Sequence, residues 1–243
     1  MKTLFRDQNL GCKIAVSSAI TCFFDHEEEG IILEDDCLPN QSFFRFCEQM
    51  LSKYRDDERI MMISGTNYLF NNNNNCCDYF FSRYFAIWGW ATWRKAWIKY
   101  DISMKDWKKY RKNNSLNSIF GDENISFFFT KMFDQIYEQR IDTWDLQWVY
   151  TCIFNYALSV VSVNNLVSNI GVVGTHTDKE DSIFLNMPRC EITNDIIRSN
   201  TNVFPDSELE KITFSNIGMI KEKKNEGIGK VVDYLTSKIK MLY

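Results

Sequence analysis

The sequence predicts an α/β fold in which a mixed, mainly parallel sheet is flanked by helices. The apolar run Gly30–Leu33 stops at three carboxylates, as a buried parallel strand does where it ends in a site. The segment before it, Gly11–Phe24, carries apolar residues at helical spacing and follows a short strand-like piece, Lys2–Phe5. A strand, a helix and a strand in this order imply parallel strands joined by a right-handed crossover.

Apolar periodicity and turn residues place the other elements. The clearest pattern after the first apolar run is an amphipathic helix, and an apolar run of strand length follows it. The next region is dense in aromatic residues and begins with a second strand-like piece. In chain order, the predicted elements are a helix over 43–54, strands over 59–64 and 79–82, a helix from Ala91 onward, helices over 125–138 and 145–158, and a strand over 158–163.

Composition limits the class of protein. With 243 residues, 45% of them apolar and 15% aromatic, the chain can bury one sizeable core. The net charge of −4 argues against a nucleic-acid binder, which needs a basic face. The eight cysteines form no CxxC pair and there are only two histidines, so we expect reduced thiols and no structural zinc. No leader or membrane-spanning apolar stretch is visible, which predicts a cytosolic protein.

The acidic residues that end the first apolar run are the main candidates for chemistry. Glu34, Asp35 and Asp36 repel one another, and a cation or a hydrogen-bonded ligand is a physical reason to keep them together. Strand alternation puts Glu34 and Asp36 on one side and Asp35 on the other. A solvated acidic loop before the helix start at Pro39–Ser42 explains the same residues without a ligand.

The run Ile32–Asp36, followed by Ser42–Phe44, resembles the acidic motif of metal-dependent, sugar-nucleotide-using glycosyltransferases with the GT-A fold. The closer resemblance is to bacterial proteins of glycosyltransferase family 2 or nucleotide-diphospho-sugar transferases, and a more distant one is to N-acetylglucosaminyltransferase I. It covers about residues 3–178. The other matching segments, in the same order, are Asn9–Cys12, Ile63–Asn67, Trp88–Trp93, Asp142–Trp148, Asn165–Gly171 and Thr175–Thr177.

The resemblance implies a donor site around the acidic motif. Asp36 would bind Mn²⁺ or Mg²⁺, which bridges the two phosphates of the donor, and hard oxygen ligands suit these ions. The ion would stabilise the departing nucleoside diphosphate. Asp35 would face the ribose or a metal-bound water, and Glu34 would face the donor sugar or the base of the loop.

Four further residues are candidates for binding the nucleotide-sugar or the metal. Gly65 and Asn67 belong to a matching segment that the resemblance places at the nucleotide-sugar. Lys13, in the helix after Asn9–Cys12, is a candidate partner of phosphate or uracil, and an ordinary exposed lysine is the alternative. His176 would ligate the metal or donate to the diphosphate from a loop that orders over the donor, and a surface histidine without a role is the alternative.

The resemblance also implies that Asp145 is the catalytic base. It would take the proton from an acceptor hydroxyl that attacks the anomeric carbon, and one base opposite the leaving group implies inversion. A carboxylate between tryptophans can be poised by partial desolvation. The alternative is that Asp142, Thr143 and Asp145 cap the following helix, and Asp142 is the second candidate for the base.

Aromatic residues of two matching segments are candidates for a sugar platform. Trp88, Trp90 and Trp144 could stack on the apolar face of a pyranose, because flat aromatic rings suit such surfaces. Gly89 would allow the backbone to approach a ligand closely. A packed core beneath the sheet explains Trp93 and Trp97 equally well.

The start of the chain departs from the family. A GT-A domain of this kind opens with a strand, a helix and a second strand that hold the base and the ribose, and the sequence begins after them. We therefore expect a partial GT-A domain over 1–178 that lacks its first β-α-β segment, with a partner chain as one source of the missing strands. An extension over 179–243 ends in an amphipathic helix over 229–242. This helix would dock on the core or face solvent, and the alternative is that it docks on a bilayer surface.

Three functional hypotheses follow. The first is an inverting, metal-dependent transferase that moves a sugar from a nucleotide-diphospho-sugar, such as a UDP-sugar, to a glycan or lipid-linked acceptor of surface polysaccharide. The second is a truncated, non-catalytic protein of the same fold, which acts as a partner subunit. The third is an unrelated acidic metal-binding module, for which the match around Trp144 and Asp145 is a coincidence.

Overall fold

The computed structural model describes residues 2–70, 77–171, 184–193, 197–198 and 202–217. The strands form one central sheet of five strands and a second sheet of two. No helix among these residues is long and apolar enough to cross a membrane. The elements are α1 Gly11–Phe24, β1 Glu29–Ile32, β2 Cys37–Pro39, α2 Gln41–Tyr54, β3 Ile60–Ser64, β4 Tyr79–Ser82, β5 Trp90–Trp93, α3 Arg94–Trp97, α4 Trp107–Lys112, α5 Ser115–Phe120, α6 Glu123–Tyr137, α7 Asp145–Phe154, β6 Leu158–Ser162, β7 Val167–Asn169 and α8 Ser207–Asn216.

The central sheet has the strand order β1-β5-β3-β6-β4. β5 lies between β1 and β3 and is antiparallel to both, so that Trp90 is opposite Ile32 on one side and Ser64 on the other. β3 and β6 pair in parallel, and β4 and β6 pair antiparallel. The sheet is mixed, but the prediction of a mainly parallel sheet is wrong. β1 and β3 do run in the same direction, because both are antiparallel to the strand between them.

Most of the predicted elements are confirmed, namely α1, α2, α6, α7, β1, β3, β4 and β6. Two predictions are wrong. Lys2–Phe5 is exposed and pairs with no described strand. The helix predicted from Ala91 is instead the strand β5, followed by the short helix α3. Every side chain of β5 is buried, and a strand buried on both faces shows no alternation that would distinguish it from a helix.

The central sheet separates two buried clusters. α2 covers one face, and α6 and α7 cover the other. Successive residues of a regular strand point to opposite faces, so one strand serves both clusters. The strands contribute Ile63, Ala91 and Val160 on the α2 side, and Met62, Trp90 and Val161 on the α6 and α7 side.

Described residues after position 178 contribute to the same core. α8 lies against β4 and buries Phe214 completely. Glu210 of α8 is also buried, and its carboxylate pairs with the Arg83 guanidinium at 2.6 Å. Phe184 is buried against Tyr68, with ring centroids 5.2 Å apart. These contacts hold part of the predicted extension on the central domain.

A group of aromatic side chains joins β5 to α7. The rings of Trp90 and Trp144 are stacked with centroids 5.8 Å apart. Trp148 lies 5.8 Å from Trp90 and 5.2 Å from Trp97. Aromatic pairs of this kind contribute about 0.5–1.5 kcal/mol each beyond the burial of their area. The start of α7 is therefore attached firmly to the middle of the sheet.

The first turn of α1 is capped by a residue far away in the sequence. The backbone N–H of Cys12 donates to Asp142 Oδ2 at 3.0 Å, and the Asn9 side chain accepts from Gly11 N–H at 2.9 Å. A carboxylate at this position also interacts favourably with the helix dipole. Asp142 therefore caps the start of α1. One alternative predicted from the sequence was that Asp142 caps the helix that follows it, α7, and the structure instead shows it at the start of α1.

We expect Gly11→Ala to destabilise the protein by roughly 2–3 kcal/mol, because a methyl group there is unfavourable in two ways. Gly11 has a φ of +72°, and an added Cβ would lie 2.7 Å from Asp142 Oδ2, which would displace the cap. Gly121→Ala is the matched control, since Gly121 has a φ of +66° and no heavy atom within 4 Å of an added Cβ. Urea unfolding should show that the control loses about 1 kcal/mol of unfolding free energy. Equal losses of unfolding free energy in the two variants would contradict a stabilising role for the Asp142 cap.

Candidate functional site

The carboxyl ends of β1, β3 and β6 and the amino end of β5 meet at one edge of the central sheet. Segments 33–36, 65–67 and 88–89 leave the sheet at this edge. Ligands of open α/β sheets bind outside the carboxyl ends of the strands. Most of the residues predicted from the sequence as site residues lie in these three segments.

Two helix starts bring further side chains to the same edge. Burial raises the pKa of both Glu34 and Cys12, and the charge of Asp145, at the start of α7, raises each further. The Trp144 side chain is hydrogen-bonded to Glu34. Cys12 belongs to the first turn of α1, so α1, α7 and the end of β1 converge. The structure therefore brings together Glu34 and Asp145, which are far apart in the sequence.

Glu34 is a carboxyl group in an environment that disfavours its charge. Burial raises its pKa, and the neighbouring charges of Asp145, Asp36 and Asp35 raise it further, to about 7. The hydrogen bond from Trp144 opposes this shift. Near neutral pH, Glu34 can therefore exchange a proton or accept a cationic or hydrogen-bond-donating ligand at low cost.

Asp145 is buried, with 8% of its surface exposed. Burial raises the pKa of its carboxyl group to about 6, although hydrogen bonds from the Thr143 hydroxyl and the Leu146 backbone N–H lower it. The Leu146 bond is 2.7 Å long, and both bonds end on Oδ1. Asp145 accepts a backbone N–H bond at the start of α7, as expected if it caps this helix. Its raised pKa is also what a general base requires.

Asp36 is held by the strand that pairs with β2. The Asn169 side-chain amide donates to Asp36 Oδ2 at 2.9 Å, and the Gly171 backbone N–H in turn donates to Asn169 Oδ1 at 2.9 Å. The Ile170 backbone N–H donates to the Asp36 carbonyl oxygen at 2.8 Å. These bonds orient the carboxylate before any ligand arrives.

Sequence reasoning missed several residues that support the site. Asn169 was part of a matching segment, but only its position as a buried polar residue in a strand could have singled it out. Tyr100 donates from its hydroxyl to the Trp144 carbonyl oxygen at 2.9 Å. Burial raises the pKa of Tyr68 and of Tyr100, and the negative charge of Asp145 raises both further. No local pattern marks these tyrosines.

The predicted nucleotide-binding residues fall into two groups. Lys13 lies in the first turn of α1, beside Cys12 in the sequence, and Asp35 is exposed beside Glu34. Asn67 and Gly65 have structural roles. The Asn67 amide donates to the carbonyl oxygens of Ser162 and Val163 at 2.8 Å, and its oxygen accepts from a backbone N–H. A Cβ at Gly65 would lie 2.4 Å from the Phe43 ring.

Two residues of the predicted sugar platform are not available to a ligand. Trp90 and Trp144 are each 1% exposed and stack on each other within the core. Gly89 has a φ of +69°, and its backbone lies close to the Val167 side chain and not to an open ligand site. A Cβ added at Gly89 would lie 2.6 Å from a Val167 methyl group. Trp88 alone of the predicted platform is partly exposed, and its ring packs edge-to-face on Tyr68.

Asp36 is suited to an ion that is shared with a ligand. Among the described residues, no group of three or more His, Cys, Asp or Glu side chains is arranged to hold a metal by itself. Mn²⁺ and Mg²⁺ accept one or two carboxylates and take their remaining ligands from phosphate oxygens and water. The residues at the strand edge fit such an arrangement. The second predicted ligand, His176, lies outside the described residues, as does the predicted helix 229–242.

No protein-family model, no curated protein and no solved structure matches this sequence. The function is therefore inferred from the fold and from the geometry of the strand edge.

We expect Asp145→Asn to stabilise the protein at about pH 7.5 by roughly 1–3 kcal/mol, because it removes a buried charge. The pKa of Asp145 is raised to about 6 in the folded chain. The folded state then binds the proton more tightly than the unfolded state, and stability is lost as the pH rises from about 4 to 6. The gain should vanish near pH 4.

Urea unfolding of both proteins at about pH 4 and 7.5 measures this effect. Asp56→Asn is the matched control, since Asp56 is exposed at the opposite edge of the sheet, before β3. A stabilisation that is the same at both pH values would contradict the raised pKa as its cause.

Proposed function

We propose that this protein is a metal-dependent, inverting glycosyltransferase. It would move a sugar from a nucleotide-diphospho-sugar, such as a UDP-sugar, to a hydroxyl of a glycan or lipid-linked acceptor of bacterial surface polysaccharide. The observation that carries the proposal is the convergence of Glu34, Asp36 and Asp145 at the carboxyl edge of the sheet. The reaction would take place in the cytoplasm or at the inner face of the membrane.

The charge of the site supports a donor that brings a cation with it. The charges that raise the pKa of Glu34 are all negative, and a diphosphate would add to them. Mn²⁺ or Mg²⁺ at Asp36 would supply the positive charge that a nucleoside diphosphate leaving group needs. Asp35 is exposed at this edge and Lys13 is half-buried in the first turn of α1; the proposal assigns a ribose hydroxyl to Asp35 and a phosphate to Lys13.

Asp145 supports direct displacement at the anomeric carbon. As the acceptor oxygen bonds to that carbon, its proton passes to Asp145 and the electron pair of the breaking C–O bond leaves with the diphosphate. Thr143 and Leu146 bind Oδ1, so the proposal assigns Oδ2 to the acceptor proton. A pKa of about 6 leaves the carboxylate ionised at neutral pH and basic enough to accept it. A single displacement inverts the configuration.

A second candidate function is that of a non-catalytic partner subunit with the same fold. The specific observation in its favour is that β1, which leads into the acidic motif, is at the end of the described sheet and only half-buried. A partner chain that supplies strands at this edge would complete the sheet. Binding of a nucleotide by the isolated chain distinguishes the two functions.

Calorimetric titration with UDP in the presence of Mn²⁺ should show binding that Asp36→Ala weakens by about 100-fold or more. Loss of a residue that only orients a metal ligand costs about 10–100-fold in affinity, and loss of the ligand itself should cost at least as much. Asp56→Ala is the control, because it removes an exposed carboxylate far from the site. A folded protein that binds no UDP with Mn²⁺ would refute transfer from a UDP-sugar by this chain alone and favour the partner subunit.

Asn169→Ala should weaken the same binding by about tenfold, because the Asp36 carboxylate loses the amide that orients it. Asn155→Ala is the matched control, since Asn155 is exposed at the other end of α7, where its amide donates to a backbone carbonyl oxygen at 2.8 Å. Equal affinities for Asn169→Ala and the wild type would show that Asp36 is oriented without Asn169.

A further inference from the structure

The outer edge of β1 presents backbone groups that no described strand uses. Glu29 is opposite Trp93, and the Arg94 N–H donates to the Glu28 carbonyl oxygen at 2.7 Å. In an antiparallel pair, alternate residues direct their N–H and C=O groups to the partner. The N–H and C=O groups of Glu29 and Ile31 therefore point away from β5. An edge of this kind is a template for another strand.

Apolar surface adjoins this edge. α1 carries one charged side chain in its 14 residues, and helices that are apolar all round are normally buried. The Phe23 ring lies over β1, since a Cβ at Gly30 would be 2.4 Å from it, yet Phe23 is 39% exposed. Leu33, just after the strand, is 38% exposed. Phe23 lies on the face of β1 to which Gly30 points, and Ile31 and Leu33 belong to the opposite face. We call these three residues, with the outer backbone of β1, the β1 edge patch.

Charge restricts what can cover the patch. Acidic triplets lie at both ends of the strand: residues 27–29, of which Glu29 is the first residue of β1 and pairs with Arg55 at 2.8 Å, and residues 34–36 after it. Antiparallel pairing of two β1 strands about Ile31 would put Glu28 opposite the partner's Glu34, and like charges directly opposite are destabilising. The charges favour a strand with an apolar centre and basic ends.

The chain contains a segment with these properties, Lys2–Arg6, whose sequence is Lys-Thr-Leu-Phe-Arg. Phe5 is 88% exposed, the largest value among the described large apolar side chains, and Leu4 is 45% exposed. Its five residues can span about 17 Å as a strand, the length of the edge from Glu29 to Leu33. Within one chain the segment does not pair with β1, and Arg6 is bonded to Ser18 of α1 at 2.8 Å.

We propose that Lys2–Arg6 of a second copy adds as a strand to the β1 edge patch. The exchange is reciprocal, so that two copies close a two-fold dimer in which each edge is paired. Lys2 and Arg6 meet the acidic triplets. Leu4 and Phe5 point to opposite faces of the added strand, so that one covers Phe23 and the other covers Ile31. The proposal does not depend on nucleotide binding.

Analytical ultracentrifugation of the whole chain over a range of concentrations tests the dimer. We expect a dimer at low salt that weakens at about 1 M salt, where charge attraction is screened. Phe5→Asp should raise the dimer dissociation constant by about tenfold to 100-fold, because burial of a phenylalanine is lost. Ile98→Asp is the matched control, since Ile98 is 81% exposed after α3 and should leave the dimer unchanged.

Hydrogen exchange locates the contact. The amides of Glu29 and Ile31 should be protected at concentrations where the dimer forms and should lose protection in Phe5→Asp. A monomeric wild type with unprotected amides would overturn the proposal. A monomer with protected amides would also overturn it, because the segment would then pair within its own chain. A dimer that survives Phe5→Asp would place the interface elsewhere.

Discussion

The stack of Trp90 on Trp144 is the contact on which the candidate site depends most. Trp90 belongs to β5, which lies between β1 and β3, and Trp144 immediately precedes α7. Their rings are 5.8 Å apart and fully buried. This contact fixes the start of α7 above the end of β1, and it thereby places Asp145 beside Glu34. The two carboxyl groups come from distant parts of the chain, and aromatic packing between them determines their separation.

The same packing lowers the stability of the folded protein, because it buries carboxyl groups that carry charge. Burial raises the pKa of Asp145 and, together with neighbouring acids, that of Glu34. The Thr143 hydroxyl, the Leu146 N–H and the Trp144 side chain offset part of this cost. Natural proteins retain destabilised groups of this kind where function requires them, and a structural role alone would be served better by an amide. The concentration of acids at one strand edge is therefore the strongest physical sign of a binding site in this chain.

Much of the fold could be predicted from periodicity, and the rest depended on contacts that have no local signal. The amphipathic pattern of α2 and the apolar run of β3 led directly to the correct elements. The sequence of β5 resembles that of a helix because all of its side chains are buried, and its insertion between β1 and β3 makes the sheet less parallel than predicted. The acidic motif identified the edge where the site lies. The Asp142 cap on α1 and the Asn169 contact with Asp36 join residues more than 100 positions apart, and the Trp90 stack removed two predicted sugar contacts.

β1 links the two proposals physically, because one strand carries both the candidate interface and the candidate site. Its outer edge ends at Leu33, and Glu34 and Asp36 follow at once. The described fold holds this strand end from one side only, through β5. Asp36 is held by Asn169, but Glu34 depends on its neighbours in the strand and on Trp144. A strand paired on the outer edge would restrict the backbone of Leu33 and Glu34 and would reduce the ordering cost that a nucleotide otherwise meets on binding. Assembly and ligand binding would then be coupled through the backbone of β1.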